Sequence, residues 1–575
     1  MKDTYPRPQF ARSNWLNLNG PWQFTFDDSD IGLKEKWYKK PIKDLTINVP
    51  FCYQSAESGI HSNEDHSIMW YQKTFNVKLN DTLKILNVGA IDYRSDIFIN
   101  GEHVRTNLGG NVSFTVDITH YLNDGENTIT IRVFDDMLDI EIPRGKQYWK
   151  EQSENIFYTR TSGIWQSVWL EEVPKTYIKR TKFVPDILTN SIKIGYYFEN
   201  VTSDADLETT ISFNGKLISS TSVTITSNYH EAVYYLGKAN DQDKNHFWTP
   251  ETPNLYDVSF TLKSATGVDQ IDSYFGMRKI SIENGNIMLN NRPYYLRLVL
   301  DQGYYPTGLL TAPNDEAMKA DINLTKLMGF NGVRKHQKIE EERYLYYADK
   351  MGLIVWEEMP SAYKFSSKTM MNLLDEWQRA IKRDYNHPSI VAWVPINESW
   401  GVPNLLNNTR EVHFLEAMYN LTKALDNTRM VISNDGWEHG TTDLLTIHDY
   451  ESKESVLDDR YSSVDKILSS LPGHRILLNK GFNYLKQPIL VTEFGGISFK
   501  KSDTNGWGYS SAKNGEDFEN RLRAVFKPLY KSSHIQGVCY TQLTDVEQEI
   551  NGLLTFDRTP KIPLEIIRNI VLNES

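Results

Sequence analysis

The 575-residue chain contains only two cysteines, Cys52 and Cys539, which lie near opposite ends of the sequence. Such sparse thiols cannot form a disulfide framework or a cysteine-rich metal motif, and this usage is typical of a reducing compartment. No apolar run approaches the roughly 20 residues that cross a bilayer. The start, MKDTYPRPQF, is not followed by the apolar segment of a signal peptide. We therefore expect a cytoplasmic protein without membrane contact.

The sequence also lacks lysine- or arginine-rich blocks, and its net charge is −12 at pH 7. Binding to a phosphate backbone requires a positive surface, so nucleic acid is not an expected partner. Aromatic residues are plentiful, with 14 Trp and 32 Tyr. They stack on sugar rings, but β-sandwich cores use them as well. Composition therefore permits a carbohydrate ligand without identifying one.

The chain is too long for one hydrophobic core, so several domains are expected. Residues 1–175 contain short alternating runs such as SFTVDIT and NTITIRVFD, separated by turn residues, and this predicts a β jelly roll. Residues 176–277 repeat the pattern with KIGYYFENV and LETTISFNG. Their length predicts an immunoglobulin-like β-sandwich.

From residue 278 to 575 strand-like runs alternate with amphipathic helical stretches. The eight runs are YYLRLVL, GVRKH, LIVWEEM, IVAWVPINES, MVISND, LLTIHDY, PILVTEFGG and IQGVCYTQLTD. Early helices such as DEAMKADINLTKLMGF end near Gly, as helices often do. Eight such units in about 290 residues predict a (β/α)8 TIM barrel. The long connection after the sixth strand is the least regular part of this pattern.

Active sites of TIM barrels form where the strands end. The strand-end residues here are Asp301, His336, Glu357, Glu358, Asn397, Glu398, Asp435, His448, Asp449, Tyr450, Glu493, Gln542 and Asp545. Glycoside hydrolysis needs two carboxyl groups facing each other. Glu398 and Glu493, three strands apart, satisfy this requirement, whereas adjacent Glu357 and Glu358 cannot both point inward. The alternative is that these carboxylates are helix caps and loop charges around some other site.

At these residues the sequence resembles glycoside hydrolase family 2, which contains β-galactosidases, β-glucuronidases and β-mannosidases. IVAWVPINESWG is similar to the acid/base motif of the family, and ILVTEFGG is similar to its nucleophile motif. LNGPWQFTFD and YTRTSGIWQSVWLEEVP resemble its jelly-roll domain, and FGMRKISIENGNIMLNNRPYYLR resembles its entry into the barrel. The resemblance covers nearly the whole chain in the same order as the predicted domains.

The resemblance implies a role for five of these residues. Glu398 would be the general acid/base, with a raised pKa, and Glu493 would be the nucleophile that forms a covalent glycosyl-enzyme. Asn397 would hydrogen-bond the sugar 2-hydroxyl. Tyr450 would hold Glu493, and Arg334 would lie beneath it and keep it charged. Structural ion pairing for Arg334 and barrel packing for Tyr450 are the alternatives.

Four further residues are predicted to contact the substrate: His336, Asp301, Trp400 and Gln542. His336 could instead be a satisfied strand-end histidine, and RKHQKIE leaves open whether His336 or Gln337 takes the place of the family histidine. In LVLDQGYYP, Asp301 and Gln302 replace the family's usual segment after the first strand. Trp356, Trp393, Trp400 and Trp437 could each belong to the core or the wall instead, and Trp400, two residues after Glu398, is the best candidate for a sugar platform.

Two departures from the family bear on whether a metal binds and on which sugar is the substrate. WEEMPSAY lacks the Glu-x-His pair that binds magnesium in large β-galactosidases, so no catalytic metal or other cofactor is expected. The last strand region, CYTQLTDVEQEINGLLTFDR, lacks the Asn-x-Lys that grips the carboxylate in β-glucuronidases. This absence argues against a glucuronide substrate, although another cation could do the same job. A sugar with a carboxylate would then predict an arginine or lysine that enters the cleft.

The resulting prediction is a retaining exo-β-glycosidase, with β-galactosidase as the leading activity. β-Glucuronidase, β-galacturonidase and β-mannosidase are alternatives with the same mechanism. A non-catalytic carbohydrate-binding protein is disfavoured because both glutamates are present. A metal-dependent TIM-barrel hydrolase is disfavoured because strands 1 and 5 supply no histidine. The expected partners are small glycosides or oligosaccharides, and homo-oligomerisation is left open.

Overall fold

The computed structural model describes residues 5–237, 245–501 and 506–574. Its first unit is a sandwich of two antiparallel sheets, joined by a short pair made of Ile91–Asp92 and Gly163–Ile164. The four-stranded sheet contains, in order, Trp15–Asn17, Val168–Val173, Leu83–Val88 and Phe114–Asp117. The six-stranded sheet contains Leu45–Val49, Gly20–Phe26, Ile68–Val77, Gly125–Phe134, Arg94–Ile99 and Glu102–Leu108. Alternating apolar residues of both sheets form one buried core between them.

The second unit is a smaller sandwich with a separate core. Its three-stranded sheet contains Tyr177–Asp186, Ser191–Glu199 and Tyr229–Tyr235. Its four-stranded sheet contains Lys216–Ile225, Ala205–Phe213, Tyr256–Ser264 and Gly267–Phe275. Both sandwiches follow from the period-two alternation of the sequence, since each strand buries one face.

The third unit is a parallel barrel, and all eight predicted runs contribute a strand. Strands 1 to 8 are Leu296–Asp301, Gly332–Lys335, Ile354–Glu358, Ile390–Val394, Met430–Val431, Leu445–Asp449, Ile489–Gly495 and Ile535–Thr541. Their order in the sheet is 5-4-3-2-1-8-7-6, which is the cyclic order of a TIM barrel. Strands 5 and 6 approach through the bonds from Asp443 N to Val431 O, 2.9 Å, and from His448 N to Gly436 O, 3.3 Å. The predicted fold class is therefore confirmed.

Helices surround the strands, although not in every unit. They are α1 (Asp315–Leu327), α2 (Glu342–Met351), α3 (Ser367–Asp384), α4 (Thr409–Leu425), α5 (Glu454–Arg460), α6 (Val464–Ser469), α7 (Gly515–Lys531) and α8 (Leu564–Leu572). Asn314 caps α1 by accepting from Ala317 N, and Gly352 ends α2 with a φ of +75°. Within the described chain, strands 5 and 6 are joined without a helix. No described helix is long and apolar enough to span a bilayer.

Side chains fill the barrel in the alternating pattern of its strands. Leu298, Leu300, Trp356 and Val394 belong to the inner cluster, whereas Val299 packs outward against the helices. A three-stranded sheet, Ile280–Glu283, Asn286–Leu289 and Arg292–Pro293, precedes the barrel and packs on the inner cluster. With the lower barrel filled in this way, polar residues can cluster at the carboxyl ends of the strands.

Candidate active site

Asn397 and Glu398 lie just beyond strand 4, where the chain turns sharply into the mouth of the barrel. Asn397 forms a bridge with Asp435, and Glu398 N donates to Asp435 O at 2.9 Å. Glu398 has a φ of +51°, an uncommon left-handed conformation for a residue with a side chain. Backbone strain of this kind clusters at functional sites. Its side chain is 19% exposed, so it is accessible from the mouth.

Glu493, at the end of strand 7, is buried opposite Glu398. Arg334 Nη1 donates to its Oε1 at 2.9 Å, and Tyr450 OH donates to its Oε2 at 2.6 Å. A guanidinium and a hydroxyl at these distances stabilise negative charge on a carboxylate. A carboxylate oxygen of Glu493 lies within 4.8 Å of one of Glu398. The two predicted glutamates therefore face each other at close range.

The guanidinium of Arg334 is fully buried and links four strands. It donates to Glu358 Oε2 at 2.6 Å and to Asn397 Oδ1 at 2.7 Å, and it lies 2.9 Å from Asp435 Oδ2. Burial alone would raise the pKa of Asp435, but the charges of Arg334 and His448 outweigh it and hold that pKa far below its usual value. The floor of the site is thus a fixed ionic network.

Glu357 and Glu358 are separated by strand alternation. Glu358 points inward, where its Oε1 lies 3.0 Å from His336 Nδ1. Burial of Glu357 near Asp384 raises the pKa of Glu357 well above its usual value. Glu358 therefore belongs to the network under Glu398 and Glu493, and Glu357 belongs to the packing behind strand 3.

His448 lies between the two glutamates. Its Nδ1 is 2.7 Å from Glu398 Oε1 and 3.5 Å from Glu493 Oε2, and its Nε2 is 3.3 Å from Asp435 Oδ2. Burial lowers the pKa of His448, but Glu493, Asp435 and Glu398 outweigh burial and raise this pKa to about 10. For Glu398, burial alone would raise the pKa, but the hydrogen bond and charge of His448 outweigh burial and lower it. The raised pKa expected for Glu398 is therefore not found in this state.

Glu398, His448 and Glu493 place three potential metal-ligand atoms within 4.8 Å of one another. Arg334 already supplies positive charge 2.9 Å from Glu493, and the His448 imidazole fills the space between the carboxylates. Both features oppose a further cation there, so we assign no metal to this group.

A cavity of about 540 Å³ opens beside this pair, and its lining includes Glu398, Trp437, His448, Tyr450, Arg460 and Tyr509. The Tyr450 ring stacks on Tyr509 with centroids 3.4 Å apart, which fixes the hydroxyl that binds Glu493. A second cavity of about 540 Å³ lies between the second sandwich and the opposite end of the barrel. Among the described residues that line this second cavity, Asp443 is the one carboxylate. The acid pair therefore identifies the first cavity as the candidate site.

Trp400 belongs to an aromatic group at the edge of the mouth. Its ring contacts Tyr363 at 5.1 Å and Phe157 at 6.5 Å between centroids, and Trp149 packs on Phe157 at 4.9 Å. Two of these rings come from the first sandwich and two from the barrel. The predicted sugar platform is thus part of a wall that spans two domains.

Asp301 and Gln542 are bound to protein groups rather than placed alone in the mouth. Lys335 Nζ donates to Asp301 Oδ2 at 2.7 Å, and Gly303 N donates to its Oδ1 at 2.8 Å. Gln542 accepts from Gln302 Nε2 at 2.9 Å and donates to Asn551 Oδ1 at 2.8 Å. Gln302, rather than Asp301, lines a small cavity together with His336. Pairing of strands 1 and 2 places Lys335 beside Asp301, and the expected substrate contact of Asp301 stays a prediction.

A loop of the first sandwich, residues 144–148, completes the mouth. The N–H groups of Arg144 and Gly145 both donate to Ser361 O, at 3.1 and 3.0 Å, and Tyr363 OH donates to Gly145 O. Gly145 has a φ of +61°, and a Cβ there would lie 2.8 Å from Gln337 O. Glycine is therefore required where this loop meets the barrel.

The loop presents Lys146 to the site. Lys146 is half-buried and lines the small cavity with His336 and Gln302. Burial, followed by the charge of Lys146, lowers the pKa of His336 well below its usual value. The charge of Lys146 also lowers the pKa of Glu398 and opposes the upward shift that burial causes in the pKa of Glu549. Within the described ranges, the Lys146 ammonium has no hydrogen-bond or ion-pair partner.

Sequence reasoning named His448 and Asp435 as strand-end residues but gave them no role. Their contacts depend on how strands 5 and 6 meet, which no local pattern specifies. Lys146 carried no signal at all, because it lies in a sandwich loop far from the barrel in sequence. Its position depends on how the two domains dock.

Three family models match the chain in succession. The "Glycosyl hydrolases family 2, sugar binding domain" matches residues 16–174, "Glycosyl hydrolases family 2" matches residues 176–278, and the "Glycosyl hydrolases family 2, TIM barrel domain" matches residues 280–502. Together they cover most of the chain, including both glutamates.

Individual relatives carry two different activities. A β-galactosidase of Thermoanaerobacter pseudethanolicus is 26% identical over 407 residues, covering 67% of this chain and 51% of that protein. A β-glucuronidase of Sus scrofa is 22% identical over 498 residues, covering 78% of this chain and 73% of that protein. This chain spans about half the length of several of the curated relatives that it matches.

Solved structures show the same architecture over the whole length. The β-glucuronidase of Ruminococcus gnavus in complex with D-glucuronic acid superimposes with a TM-score of 0.79 and 18% identity, and 99% of each chain is covered. A β-glucuronidase of Lactobacillus rhamnosus gives a TM-score of 0.79 with 21% identity, covering 98% of each chain. At this identity the likeness concerns the fold.

Proposed function

The chain belongs to glycoside hydrolase family 2, and from this we propose that it is a retaining exo-β-glycosidase that removes terminal β-linked uronic acids. The close approach of Glu398 and Glu493, with a carboxylate oxygen of each within 4.8 Å of the other, carries the retaining mechanism in this proposal. Retaining enzymes hold their carboxyl groups about 5–5.5 Å apart, whereas inverting enzymes leave about 6.5–9.5 Å for a water molecule. The short spacing favours a double displacement.

In the first step, an oxygen of Glu493 attacks the anomeric carbon while the bond to the leaving oxygen breaks. Glu398 protonates that oxygen as it departs. In the second step, Glu398 takes a proton from water, the water oxygen attacks the anomeric carbon, and the bond to Glu493 breaks. The hydrogen bonds from Arg334 and Tyr450 to Glu493 support its role as the nucleophile.

Asn397 is oriented for a sugar hydroxyl. Its Oδ1 accepts from Arg334 Nη2 at 2.7 Å, and arginine can only donate, so the amide orientation is fixed. The Nδ2 group is then the donor that remains for the substrate. A hydrogen bond from this group to the 2-hydroxyl supports the oxocarbenium-like transition state.

The choice of sugar rests on charge and on relatives. The β-glucuronidase relatives favour a uronide over the β-galactoside expected first, and so does Lys146, which lines the small cavity with His336 and whose charge lowers the pKa of Glu398. A half-buried ammonium that has no partner in the part of the chain that the structure describes can pair with the carboxylate of a uronic acid. Lys146 is therefore our candidate for the cation that replaces the missing Asn-x-Lys. A β-galactosidase remains the second candidate because relatives with that activity also match.

The sugar is tested with p-nitrophenyl β-glycosides of glucuronic acid, galacturonic acid, galactose and mannose. We expect a uronide to be cleaved best, and cleavage to be lost in Glu493→Ala. Azide should restore turnover of this variant on an activated aryl glycoside and yield the glycosyl azide of inverted configuration. Preferential cleavage of the galactoside would contradict the uronide proposal, and no cleavage of any glycoside would contradict the enzyme proposal.

The role of Lys146 is tested with Lys146→Met. A hydrogen bond to a charged group contributes about 1.5–3 kcal/mol, so kcat/KM on the uronide should fall about 10- to 100-fold. Lys150→Met is the matched control, because Lys150 lies nearby in the sequence with its side chain 61% exposed. Equal losses on the uronide and on a neutral glycoside would show that Lys146 does not bind the carboxylate.

A further inference from the structure

The position of His448 raises a chemical question about the acid step. Glu398 must carry a proton when the leaving group departs, yet the hydrogen bond and charge of His448 outweigh burial and lower the pKa of Glu398. The nearest hydrogen-bonding group is His448, with Nδ1 2.7 Å from Glu398 Oε1. The imidazole is 1% exposed, so bulk water does not compete for this contact.

The groups that face His448 favour a protonated ring. Glu398 and Glu493 lie at Nδ1, Asp435 lies at Nε2, and strand 2 contributes one opposing charge, Arg334, with Nη1 3.4 Å from Nε2. His336 adds a weak unfavourable contribution in its charged form, but burial and nearby cations hold its pKa low. The edge of Trp437, at 5.5 Å between centroids, and the backbone of Gly436 complete the enclosure. Three carboxylates against one guanidinium leave a net negative environment.

We propose that His448 stores the proton that Glu398 delivers, so that the acid catalyst is the Glu398–His448 pair. This rests on the proposed function, in which Glu398 is the acid/base. When the aglycone departs, the proton passes from Nδ1 to the Glu398 carboxylate and then to the leaving oxygen. Glu493 has meanwhile bonded to the anomeric carbon, and the imidazole is left neutral. In the second step the proton lost by water returns through Glu398 to Nδ1.

The pair predicts a specific dependence on the leaving group. In His448→Gln, kcat/KM for a phenyl or alkyl glycoside should fall about 10²- to 10³-fold, within the usual contribution of general acid catalysis. For the 2,4-dinitrophenyl glycoside of the same sugar, the fall should be less than about fivefold, because that leaving group departs without protonation. The fall of kcat/KM at high pH should also begin at a lower pH than in the wild type. If His448 had only a structural role, kcat/KM would fall equally for both glycosides, and that result would overturn the proposal.

His439→Gln is the matched control for removing a buried imidazole. His439 lies on the same side of the barrel, and its Nε2 is 2.8 Å from Thr446 O. This variant should retain the wild-type ratio between the two leaving groups. A changed ratio in His439→Gln would mean that any imidazole loss perturbs the acid step, and the assignment to His448 would fail.

Two further measurements separate this proposal from the proposed function. If Glu398 is the acid/base, Glu398→Ala must show the same leaving-group selectivity as His448→Gln, and its absence refutes that role. In the free enzyme, ¹⁵N NMR should show His448 still protonated above neutral pH, and its pKa should fall in Glu398→Gln. A His448 that titrates at an ordinary pH overturns the proton store, whether or not any glycoside is cleaved.

Discussion

Arg334 is the residue on which the floor of the site depends. Its guanidinium is fully buried, and its ion pairs with Glu358, Asp435 and Glu493 join strand 2 to strands 3, 5 and 7. A buried cation of this kind is costly to remove, since its partners would be left as uncompensated charges. The planar fork of arginine, rather than its charge alone, allows these contacts to form together.

Arg334→Lys should therefore be a severe change despite keeping the charge. One ammonium cannot reach the Glu358, Asn397 and Glu493 acceptors together, so we expect kcat to fall at least about 10²-fold and unfolding to occur at lower temperature. Steady-state kinetics and thermal denaturation measure the two effects. Arg523→Lys, in a partly exposed pair with Glu519 on α7, should change neither. Near-wild-type activity of Arg334→Lys would contradict the role of the fork.

Tyr450→Phe tests the second hydrogen bond to Glu493. The variant keeps the ring that stacks on Tyr509 but loses the 2.6 Å bond to Glu493 Oε2. Loss of a hydrogen bond to a charged group should lower kcat/KM about 10- to 100-fold. Tyr419→Phe is the matched control, because Tyr419 OH also donates to a carboxylate, Asp443 Oδ1 at 2.7 Å, but on the helical side of the barrel. An equal loss in both variants would show a general effect of the missing hydroxyl.

Among the elements, the barrel strands were predictable because their apolar runs are long and regular. The strand-end rule then located Glu398 and Glu493, whose placement needs only the strand order. The fifth unit departs from the pattern, because its Asn-, Gly- and Asp-rich segment after Val431 forms a connection without a helix. The ion pair of Asp301 with Lys335 could not be predicted, since it depends on the register between two strands. Lys146 depends on domain docking, which no sequence period encodes.

The loop at residues 144–148 can be tested as an element. Gly145→Ala adds a Cβ at 2.8 Å from Gln337 O at a φ of +61°. The loop must shift away from the barrel, carrying Lys146 with it, so kcat/KM on the uronide should fall about tenfold or more. Gly215→Ala is the matched control, because Gly215 has a similar φ of +75° but its added carbon would have nothing within 4 Å. If the two variants have the same activity, the loop does not position Lys146.

At the scale of the whole molecule, one buried carboxylate joins the first sandwich to the barrel. Glu376 of α3 accepts from Asn111 N at 2.9 Å and from Asn111 Nδ2 at 3.0 Å. Burial raises the pKa of Glu376 to about 7, because it outweighs Arg379 and the bonds from Asn111. The folded state therefore binds this proton more tightly than the unfolded state does. The stabilisation from protonated Glu376 is complete below the pKa that this group has in the unfolded state. It is lost as the pH rises through the pKa of Glu376 in the folded state.

Glu376→Gln should remove this pH dependence. Each unit of pKa shift is worth about 1.4 kcal/mol. Between pH 5 and pH 8, the free energy of unfolding of the variant should therefore rise by about 2–3 kcal/mol relative to that of the wild type. Denaturation curves at the two pH values measure the difference. Glu516→Gln, exposed on the first turn of α7, is the control and should show no such gain. A gain of equal size in both variants would assign the effect to net charge instead.

The insertion of a sandwich loop into the barrel mouth has an evolutionary consequence. The residues proposed to break the glycosidic bond and the residue proposed to select the sugar belong to different domains. Substitutions in the loop can therefore change which sugar is accepted while the strand ends that carry Glu398 and Glu493 stay unaltered. Substrate specificity can therefore change during evolution while the catalytic residues stay the same. A protein engineer can graft the loop between relatives for the same purpose.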